Sequence, residues 1–425
     1  GPPIGDADDL ARWDRRGVAQ AGFSHYFLAR STRIVREEAP DLLEDLEQVG
    51  ITPSAVRFGE GFEDDRALTA RRPVYEAVLR RFTEREPRVE LVTSSVRGLL
   101  TAPSDPHRIV GLRLDSDEEV GADLVVDAGG RRSATGRWLR DLGLDEPAVT
   151  EEPVNRHYYC RHYRLRPGED YPTDDVPIVQ PLPYGTVLVF IGDNRTYSVA
   201  FELSADDPLK EHVQDAAVFD RFLHALPMTA PWMDRSEPAS DLRVMAGLSN
   251  RRRRLVVDER PIASGMALVG DASQYTNPAL GQGVSLTFWM AQRLADLVER
   301  VHDDPTGTAR AYEDWVDEEL GPRFERQLRA DREANRQLAA GLAGEGFIPP
   351  AEEATHFARA LFALAQEDEE LMNRARRVGH LLERPSSLQE DPSVVRRVQA
   401  MSDHGPPLLS GHGPLPREQF ETLVA

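Results

Sequence analysis

Two segments of this chain share a pattern that limits its fold: a short apolar stretch leads into an aspartate that has a glycine within two residues of it. Residues 122–133 read ADLVVDAGGRRS, and residues 270–286, GDASQYTNPALGQGVSL, follow the apolar stretch Met266–Val269. A short apolar run bounded by glycine is typical of a strand buried in a parallel sheet. In open α/β sheets, ligands bind beyond the carboxyl ends of such strands. The pattern therefore predicts an α/β fold with a ligand near Asp127 and Asp271.

The residues after the second aspartate predict a helix whose N-terminus faces that ligand. Val284, Phe288, Ala291, Ala295 and Val298 recur at helical spacing on one apolar face. Glycines before them allow close approach of the backbone, and the free N–H groups of a helix N-terminus attract an anion. Either segment alone also fits an ordinary strand–turn–helix connection. Together they favour a nucleotide-like ligand.

The middle of the chain has a different character, which predicts an antiparallel insert. Val187–Ile191 is apolar, residues 192–196 have turn composition, and Tyr197, Val199, Phe201 and Leu203 alternate with polar or small residues. Such alternation is typical of a hairpin with one buried face. Arg156–Leu165 predicts another strand, and Thr32–Val49 predicts one long helix. We expect the insert sheet to cover the ligand, with substrate bound between the two layers.

The charge composition limits the kinds of binding partner that we expect for this chain. The chain has 51 basic and 72 acidic residues and a formal net charge of -21, which disfavours nucleic acid and anionic lipid as partners. The basic run Arg251–Arg254 precedes an apolar stretch, and we interpret it as a solvated strand end rather than a phosphate site. One cysteine excludes an intrachain disulfide, and neither a membrane span nor a signal peptide is visible, so a cytoplasmic location is expected.

The second glycine segment closely resembles a motif of FAD-dependent monooxygenases, G-D-A-A-H-x-x-x-P-x-x-G-x-G-x-N. Gly270, Asp271, Pro278, Gly281 and Gly283 match it, as does Ala272. The first segment resembles the Asp-Gly motif of the same family, in the variant of flavin epoxidases and bacterial tailoring enzymes of secondary metabolism. Arg72 matches the arginine that opens the helix after the family's first crossover. The similarity spans roughly Leu10 to Val298.

The resemblance implies FAD as cofactor and assigns roles to individual residues. Asp271 would bond the ribityl chain, and the backbone around Leu280, Gly281, Gln282, Gly283 and Val284 would face the pyrimidine edge of the flavin. Asp127 and Gly129 would support the phosphate and ribityl region, and Arg72 would lie near the cofactor's polar middle. Gly270 and Pro278 belong to the same motif. No metal site and no specific catalytic residue is expected, because the cofactor carries the difficult chemistry.

Three departures from the family pattern stand out. Gln274 replaces the usual histidine and Ser285 the usual asparagine. The family's opening G-x-G-x-x-G unit is also missing, and the chain begins Gly1-Pro2-Pro3. We therefore expect that this chain is part of a longer protein. Its parallel sheet should have a gap near residues 122–126 and 266–269, and it should retain FAD only weakly.

The resemblance implies the following organisation. The fold is α/β, with an FAD-binding parallel sheet layer interrupted by an antiparallel substrate-domain sheet and followed by a helical C-terminal region. Residues 1–150 and 256–305 would form the FAD-binding domain, residues 151–255 the substrate-binding insert, and residues 306–425 the helical region.

The activity implied is monooxygenation of a small organic substrate, by aromatic hydroxylation or alkene epoxidation, with O2 and a flavin hydroperoxide. NAD(P)H would supply electrons, directly or through a separate flavin reductase. Alternatives are an FAD-dependent reductase of isoprenoid-like substrates and an inactive flavoprotein remnant. A halogenase is disfavoured, because the halogenases share a Trp-x-Trp-x-Ile-Pro motif and an active-site lysine. The motif is absent here, and Lys210, the sole lysine, lies in the insert.

Weaker candidates lie in the first half of the chain. His25, His157 and His162 could act as bases, although structural roles are favoured for each. Tyr159, Arg161 and Tyr163 share one face of a predicted strand, where they would line a pocket or, as we favour, belong to a packed sheet face.

Overall fold

The computed structural model describes residues 2, 5–15, 17–173, 178–403 and 413–425. Its α-helices are α1 (Ala7–Ala11), α2 (Ala29–Glu38), α3 (Pro40–Gln48), α4 (Arg72–Glu84), α5 (Thr135–Asp141), α6 (Ala216–Ala225), α7 (Ala230–Met233), α8 (Gly283–Ala295), α9 (Pro305–Trp315), α10 (Gly321–Leu342), α11 (Glu353–Ala365), α12 (Glu369–Gly379), α13 (Pro392–Asp403) and α14 (Arg417–Val424).

The strands are β1 (Tyr26–Phe27), β2 (Thr52–Pro53), β3 (Leu68–Thr69), β4 (Val96–Ala102), β5 (Asp105–Leu114), β6 (Glu119–Gly121), β7 (Val125–Asp127), β8 (Ala148–Pro153), β9 (Arg156–Leu165), β10 (Ile178–Leu182), β11 (Gly185–Ile191), β12 (Thr196–Ser204), β13 (Ser236–Pro238), β14 (Arg243–Met245), β15 (Ser249–Arg254), β16 (Val256–Val257), β17 (Arg260–Pro261), β18 (Met266–Leu268) and β19 (Gln274–Tyr275).

The chain divides into two compact units. Unit 1 comprises residues 1–86, 154–248 and 329–425, and unit 2 comprises residues 87–153 and 249–328. The mixed α/β class, the antiparallel sheet that interrupts the parallel strands in sequence and the helical C-terminal region are all as predicted. The assignment of ranges to FAD and substrate domains stays a prediction, since compactness does not show what a range binds.

Unit 1 is built on the six-stranded sheet β10-β11-β12-β9-β13, with β14 also paired to β9. The predicted hairpin is confirmed: β11 and β12 pair antiparallel, with Val187 opposite Phe201 and Ile191 opposite Tyr197. Tyr197, Val199, Phe201 and Leu203 are fully buried, because alternation places all four on the core face.

The C-terminal helix α14 completes that core. The ring of Phe420 lies 4.7 Å from that of Tyr184, 5.2 Å from Phe222 and 5.9 Å from Phe201. The Tyr184 hydroxyl donates to the carbonyl of Leu415 at 3.0 Å. The end of the chain therefore contributes directly to the packing of a sheet formed more than 200 residues earlier.

Unit 2 contains the predicted parallel strands. β7 and β18 pair in parallel, with Val125 opposite Met266 and Asp127 opposite Leu268. The expected gap is not found between them: the described residues form a two-stranded parallel sheet in which the two strands are hydrogen-bonded neighbours. The other strands of unit 2 form the sheets β4-β5-β6 and β19-β15-β8 and the pair β16-β17.

Two predicted boundaries are wrong, each for a local reason. The expected helix over Thr32–Val49 is broken at Ala39, whose φ of -150° is not helical, because the following Pro40 disfavours helical geometry before it. The sequence of residues 89–100 also predicts a strand, and that strand begins only at Val96. Val96 is opposite Leu114, the last residue of β5, so earlier residues have no partner strand there.

Within the described residues, no helix combines the length and apolar character that a membrane span needs.

Candidate functional site

The loop after β7 is organised by Asp127, which is 9% exposed. Its carboxylate accepts hydrogen bonds from the Gly129 N–H at 2.7 Å, from the Ser133 hydroxyl at 2.5 Å and from the Thr135 hydroxyl. A Cβ on Gly129 would stand 2.8 Å from the Asp127 carboxylate, so only glycine fits this turn. Asp127 and Gly129 thus shape the loop, because both oxygens of the carboxylate are engaged within it.

The loop after β18 turns at Gly270, which has a φ of +59°. Its N–H approaches the sulfur of Met290 at 3.1 Å, and a Cβ there would stand 2.7 Å from the Thr287 hydroxyl. Both contacts are with α8. Glycine at this position therefore permits the left-handed turn and the close approach of the loop to that helix.

Asp271 lies where the two loops meet the start of α8. A Cβ built on Gly130, in the first loop, would be 4.0 Å from the Asp271 Cβ. A Cβ built on Gly283, the first residue of α8, would be 3.9 Å from a carboxylate oxygen of Asp271. The structure therefore brings together Asp271 and the glycines of both predicted motifs. Because neither glycine has a Cβ, the backbone beside the carboxylate stays accessible to a ligand.

The N-terminus of α8 is exposed and lacks a side-chain cap. Pro278, Leu280 and Gly283 are exposed, and Gly281 adopts the left-handed conformation that redirects the chain into the helix. Gln282, the residue before the helix, makes no capping hydrogen bond, and Val284 follows in the first turn. An uncapped helix N-terminus presents N–H groups and the positive end of the helix dipole, which together favour an anionic group.

The strand β15 contains two residues that hold these loops and that sequence reasoning missed. Arg253, 9% exposed, donates to the carbonyls of Ala272 at 2.9 Å and Arg131 at 3.1 Å, so it joins the two loops. Asn250 accepts from the Asn277 N–H at 2.7 Å. No local signal could have identified them, since their partners lie far away in the sequence.

The prediction that Arg251–Arg254 forms a solvated strand end is wrong. β15 is the central strand of its sheet. Arg251 pairs with Glu151, while Arg252 and Arg254 both pair with Asp317. These carboxylates neutralise the run, so it is not a free phosphate-binding patch either.

Arg131 and Tyr275 make a second connection between the loops. The Arg131 guanidinium lies 5.3 Å from the centre of the Tyr275 ring. Burial and the charge of Asp271 raise the pKa of the Tyr275 hydroxyl, while Arg131 opposes this effect. The phenol is therefore neutral at ordinary pH and lies close enough to Asp271 for their charges to interact.

Gln274 supplies an observation that tests whether a polar ligand fits. The side chain is 4% exposed, and its carbonyl oxygen has no hydrogen-bond partner among the described residues. A buried acceptor left unsatisfied costs about 1–3 kcal/mol. This acceptor belongs to the same loop as Asp271. An unsatisfied acceptor beside a carboxylate suits hydroxyl groups, and the N–H groups at the start of α8 suit an anion, so the residues present fit a cofactor with both, such as FAD.

Arg72 belongs to unit 1, where it opens α4. Its Nε donates to Glu76 at 2.5 Å, and Glu76 also pairs with Arg15. Its Nη1 donates to Nε2 of His25 at 3.2 Å, while the Nδ1–H of His25 donates to the Phe23 carbonyl at 3.0 Å. His25 is thus a neutral imidazole that orients Arg72, in agreement with burial, which lowers its pKa to about 3.

The remaining candidates lie on β9. Tyr159 and Tyr163 are fully buried in the core of unit 1, and Arg161 pairs with Asp220, so this face is the packed one, as favoured. Tyr158, Cys160 and His162 alternate with these residues along β9, so their side chains lie on the opposite face of the sheet.

The solved structures of a flavin-dependent brominase, Bmp2, match with a TM-score of 0.58 at 16% identity, covering 90% of this chain and 90% of that one. A probable FAD-dependent monooxygenase from Pseudomonas aeruginosa, pqsL, matches with 0.57 at 16% identity over 79% and 94%. The myxobacterial chondrochloren halogenase CndH matches with 0.54 at 16% identity over 90% and 96%. The chain therefore shares the fold of FAD-dependent monooxygenases and halogenases.

Comparison by sequence is less informative. Protein Rv3254 of Mycobacterium tuberculosis (strain ATCC 25618 / H37Rv) is 26% identical over 311 residues, which cover 66% of this chain. This chain spans 64% of the length of that relative. No protein-family model matches the chain.

Proposed function

We propose that this protein is an FAD-dependent monooxygenase that transfers one oxygen atom from O2 to a small organic substrate. The observation that carries the proposal is the position of Asp271, beside Gly130 of one strand-end loop and Gly283 at the uncapped start of α8. Two independent sequence motifs meet at that carboxylate within unit 2. The shared fold of flavin-dependent enzymes supports the same cofactor.

The residues of unit 2 would hold FAD as follows. Asp271 would accept hydrogen bonds from hydroxyl groups of the ribityl chain, as the family resemblance implies. The N–H groups at Gly283 and Val284 would stabilise negative charge on the flavin, an effect of about 0.3–1 kcal/mol at an exposed helix end. Gly270, Pro278, Leu280, Gly281 and Gln282 shape the approach to that end. When bound, the flavin supplies the redox chemistry with O2, and the chain binds, orients and desolvates.

The electron donor would be NAD(P)H, which would reduce the cofactor directly or through a separate flavin reductase. The protein would act in the cytoplasm. Arg72 is assigned to the cofactor by the family resemblance alone, and within unit 1 its guanidinium is oriented by Glu76 and His25. Hydroxylation and epoxidation both remain within the proposal.

The test begins with cofactor binding. Quenching of FAD fluorescence on titration with the purified protein should give saturable binding. Asp271→Ala should weaken that binding by about tenfold, the effect of losing one charge-assisted hydrogen bond. Gly283→Ala should also weaken it without unfolding the protein, because the added methyl finds only Asp271, at 3.9 Å. Asp303→Ala, an exposed aspartate of the same unit, is the matched control.

The second stage tests the reaction. With NAD(P)H, a flavin reductase and a substrate panel, ¹⁸O from ¹⁸O2 should appear in a product. Reduction of an alkene without incorporation of ¹⁸O would instead identify a reductase. Failure of the wild-type protein to bind FAD would contradict the proposal and point to an inactive remnant. Equal FAD affinity in wild type and Asp271→Ala would contradict the role given to Asp271.

Halogenation is the second candidate, since two of the three structural matches described above are a brominase and a halogenase. Lys210, the only lysine of the chain, lies in unit 1 and donates to the Ala205 carbonyl at 2.7 Å, so its ammonium group already has a structural contact. The halide-dependent formation of a brominated or chlorinated product in the same assay would favour halogenation over oxygen transfer.

A further inference from the structure

A second cluster of polar side chains lies in unit 1, on the face of the sheet opposite its core. Arg243 on β14 is opposite Cys160 on β9, so their side chains share this face. His162 follows two residues after Cys160 on the same face. The Cys160 sulfur is 3.3 Å from the Ser24 hydroxyl, which places the 22–25 segment over these strands. None of these residues belongs to the proposed flavin site in unit 2.

Arg243 differs from its cationic neighbours because it has no carboxylate partner. Arg71 pairs with Asp193 and Asp8, and Arg72 pairs with Glu76. Within the described part of the chain, the Arg243 guanidinium makes neither an ion pair nor a hydrogen bond, and the residue is exposed. An exposed guanidinium is a strong donor for planar anions, to which it can give two parallel hydrogen bonds.

The surroundings of Arg243 are shaped to hold it in place. A Cβ built on Gly22 would lie 2.7 Å from both Cδ and Cζ of Arg243, so the arginine crosses the backbone at the one residue without a side chain. The φ of Gly22 is not in the left-handed region, so steric space rather than backbone conformation requires glycine here. The side chain is thereby oriented without an ion pair.

His162 adds an uncharged polar group beside this cation. Its ring nitrogens have no hydrogen-bond partner among the residues that the structure describes, and the residue is only partly buried. Burial, followed by the charges of Arg71 and Arg243, lowers its pKa to about 4. The imidazole is therefore neutral at physiological pH and can donate or accept one hydrogen bond to a ligand. One unpaired cation beside a neutral imidazole suits a ligand with a single negative charge.

We propose that Arg243 and His162 form a binding site for the carboxylate group of a small organic monoanion. Arg243 binds the two carboxylate oxygens, and His162 hydrogen-bonds to the same group. Identifying this anion as the substrate of the oxygenation rests on the proposed function, whereas anion binding itself does not.

The test compares two probes of the same shape, 2-naphthoate and the neutral 2-naphthamide, by isothermal titration calorimetry with the full chain. Wild type should bind the carboxylate at least tenfold more tightly than the amide. Arg243→Gln should remove that preference, and Arg243→Lys should retain part of it. Gly22→Ala, which keeps the charge but displaces the guanidinium, should reduce it. Arg57→Gln, at an exposed arginine of the same unit, should leave it unchanged.

Three results would overturn the inference: equal affinity for the two probes, no binding of either, or an unchanged preference in Arg243→Gln. Measuring FAD binding on the same samples separates this inference from the proposed function. Flavin binding without a carboxylate preference removes the anion site alone. A carboxylate preference without flavin binding removes the monooxygenase proposal alone.

Discussion

The guanidinium of Arg253 donates a hydrogen bond of 2.9 Å to the carbonyl oxygen of Ala272, inside the most specific motif of the chain. The same guanidinium donates to Arg131 in the other glycine loop. Burial lowers the pKa of Arg253, and yet its role as a double donor requires the charged form. Both loops around Asp271 therefore depend on one side chain from a strand that contains neither motif.

Replacing Arg253 tests that dependence. Arg253→Met removes both hydrogen bonds and leaves two carbonyls without this donor, a loss of about 1–3 kcal/mol for buried groups. We expect FAD affinity to fall about tenfold, and thermal unfolding to occur at a lower temperature. The control is Arg137→Met, at an exposed arginine of α5. Equal FAD affinity in the two variants would show that the loops keep their geometry without Arg253.

Gly270 allows a test of steric fit against backbone strain. Gly143 and Gly270 have positive φ angles of +78° and +59°, but a Cβ on Gly143 meets nothing within 4 Å, whereas one on Gly270 meets Thr287 at 2.7 Å. Gly143→Ala should cost about 1 kcal/mol, the strain of a left-handed alanine. Gly270→Ala should cost about 1–3 kcal/mol more, because it also overpacks the loop against α8. Urea unfolding of both variants measures the difference; equal losses would contradict it.

Glu313 predicts a pH dependence of stability. Burial raises the pKa of its carboxyl to about 7, although the Leu255 N–H donates to it at 3.1 Å. The unfolded chain has a lower pKa, about 4.3, so the folded state holds an extra proton between these values. Stability should therefore fall as pH rises from about 4.3 to 7 and level off above that.

The variant Glu313→Gln isolates this contribution. Between pH 5 and pH 8, wild type should lose about 1–3 kcal/mol of unfolding free energy relative to the variant. Urea unfolding curves at both pH values provide the measurement. Parallel pH profiles for the two proteins would mean that Glu313 is ionised in the fold.

Phe420 tests how far α14 supports the sheet of unit 1. Because its ring lies against Tyr184, Phe222 and Phe201, Phe420→Ala should destabilise the protein by about 3–5 kcal/mol. Phe362 is 63% exposed on α11, and Phe362→Ala should change stability by less than about 0.5 kcal/mol. Both variants remove the same phenyl ring, but Phe420 is buried and Phe362 is exposed. Similar unfolding midpoints would therefore refute the packing role of α14.

The sequence by itself determined the local features of this protein. The alternation at Tyr197–Leu203 established an antiparallel hairpin and the set of its side chains that forms the core face, because side chains of a strand alternate between its two faces. That the other face is buried as well did not follow from the alternation. The apolar stretches before Asp127 and Gly270 established two parallel strands. These features depend on neighbours in sequence, which a sequence displays directly.

Only the tertiary structure decided which faces and which distant residues matter. Alternation shows that Tyr159 and Cys160 lie on opposite faces of β9, but the packing of α6 and α14 decides which face is the core. The pattern of the glycine loops likewise does not contain Arg253, whose hydrogen bonds to Ala272 and Arg131 span 19 and 122 positions. Such contacts depend on how strands are placed beside one another, and no local pattern of residue types encodes that placement.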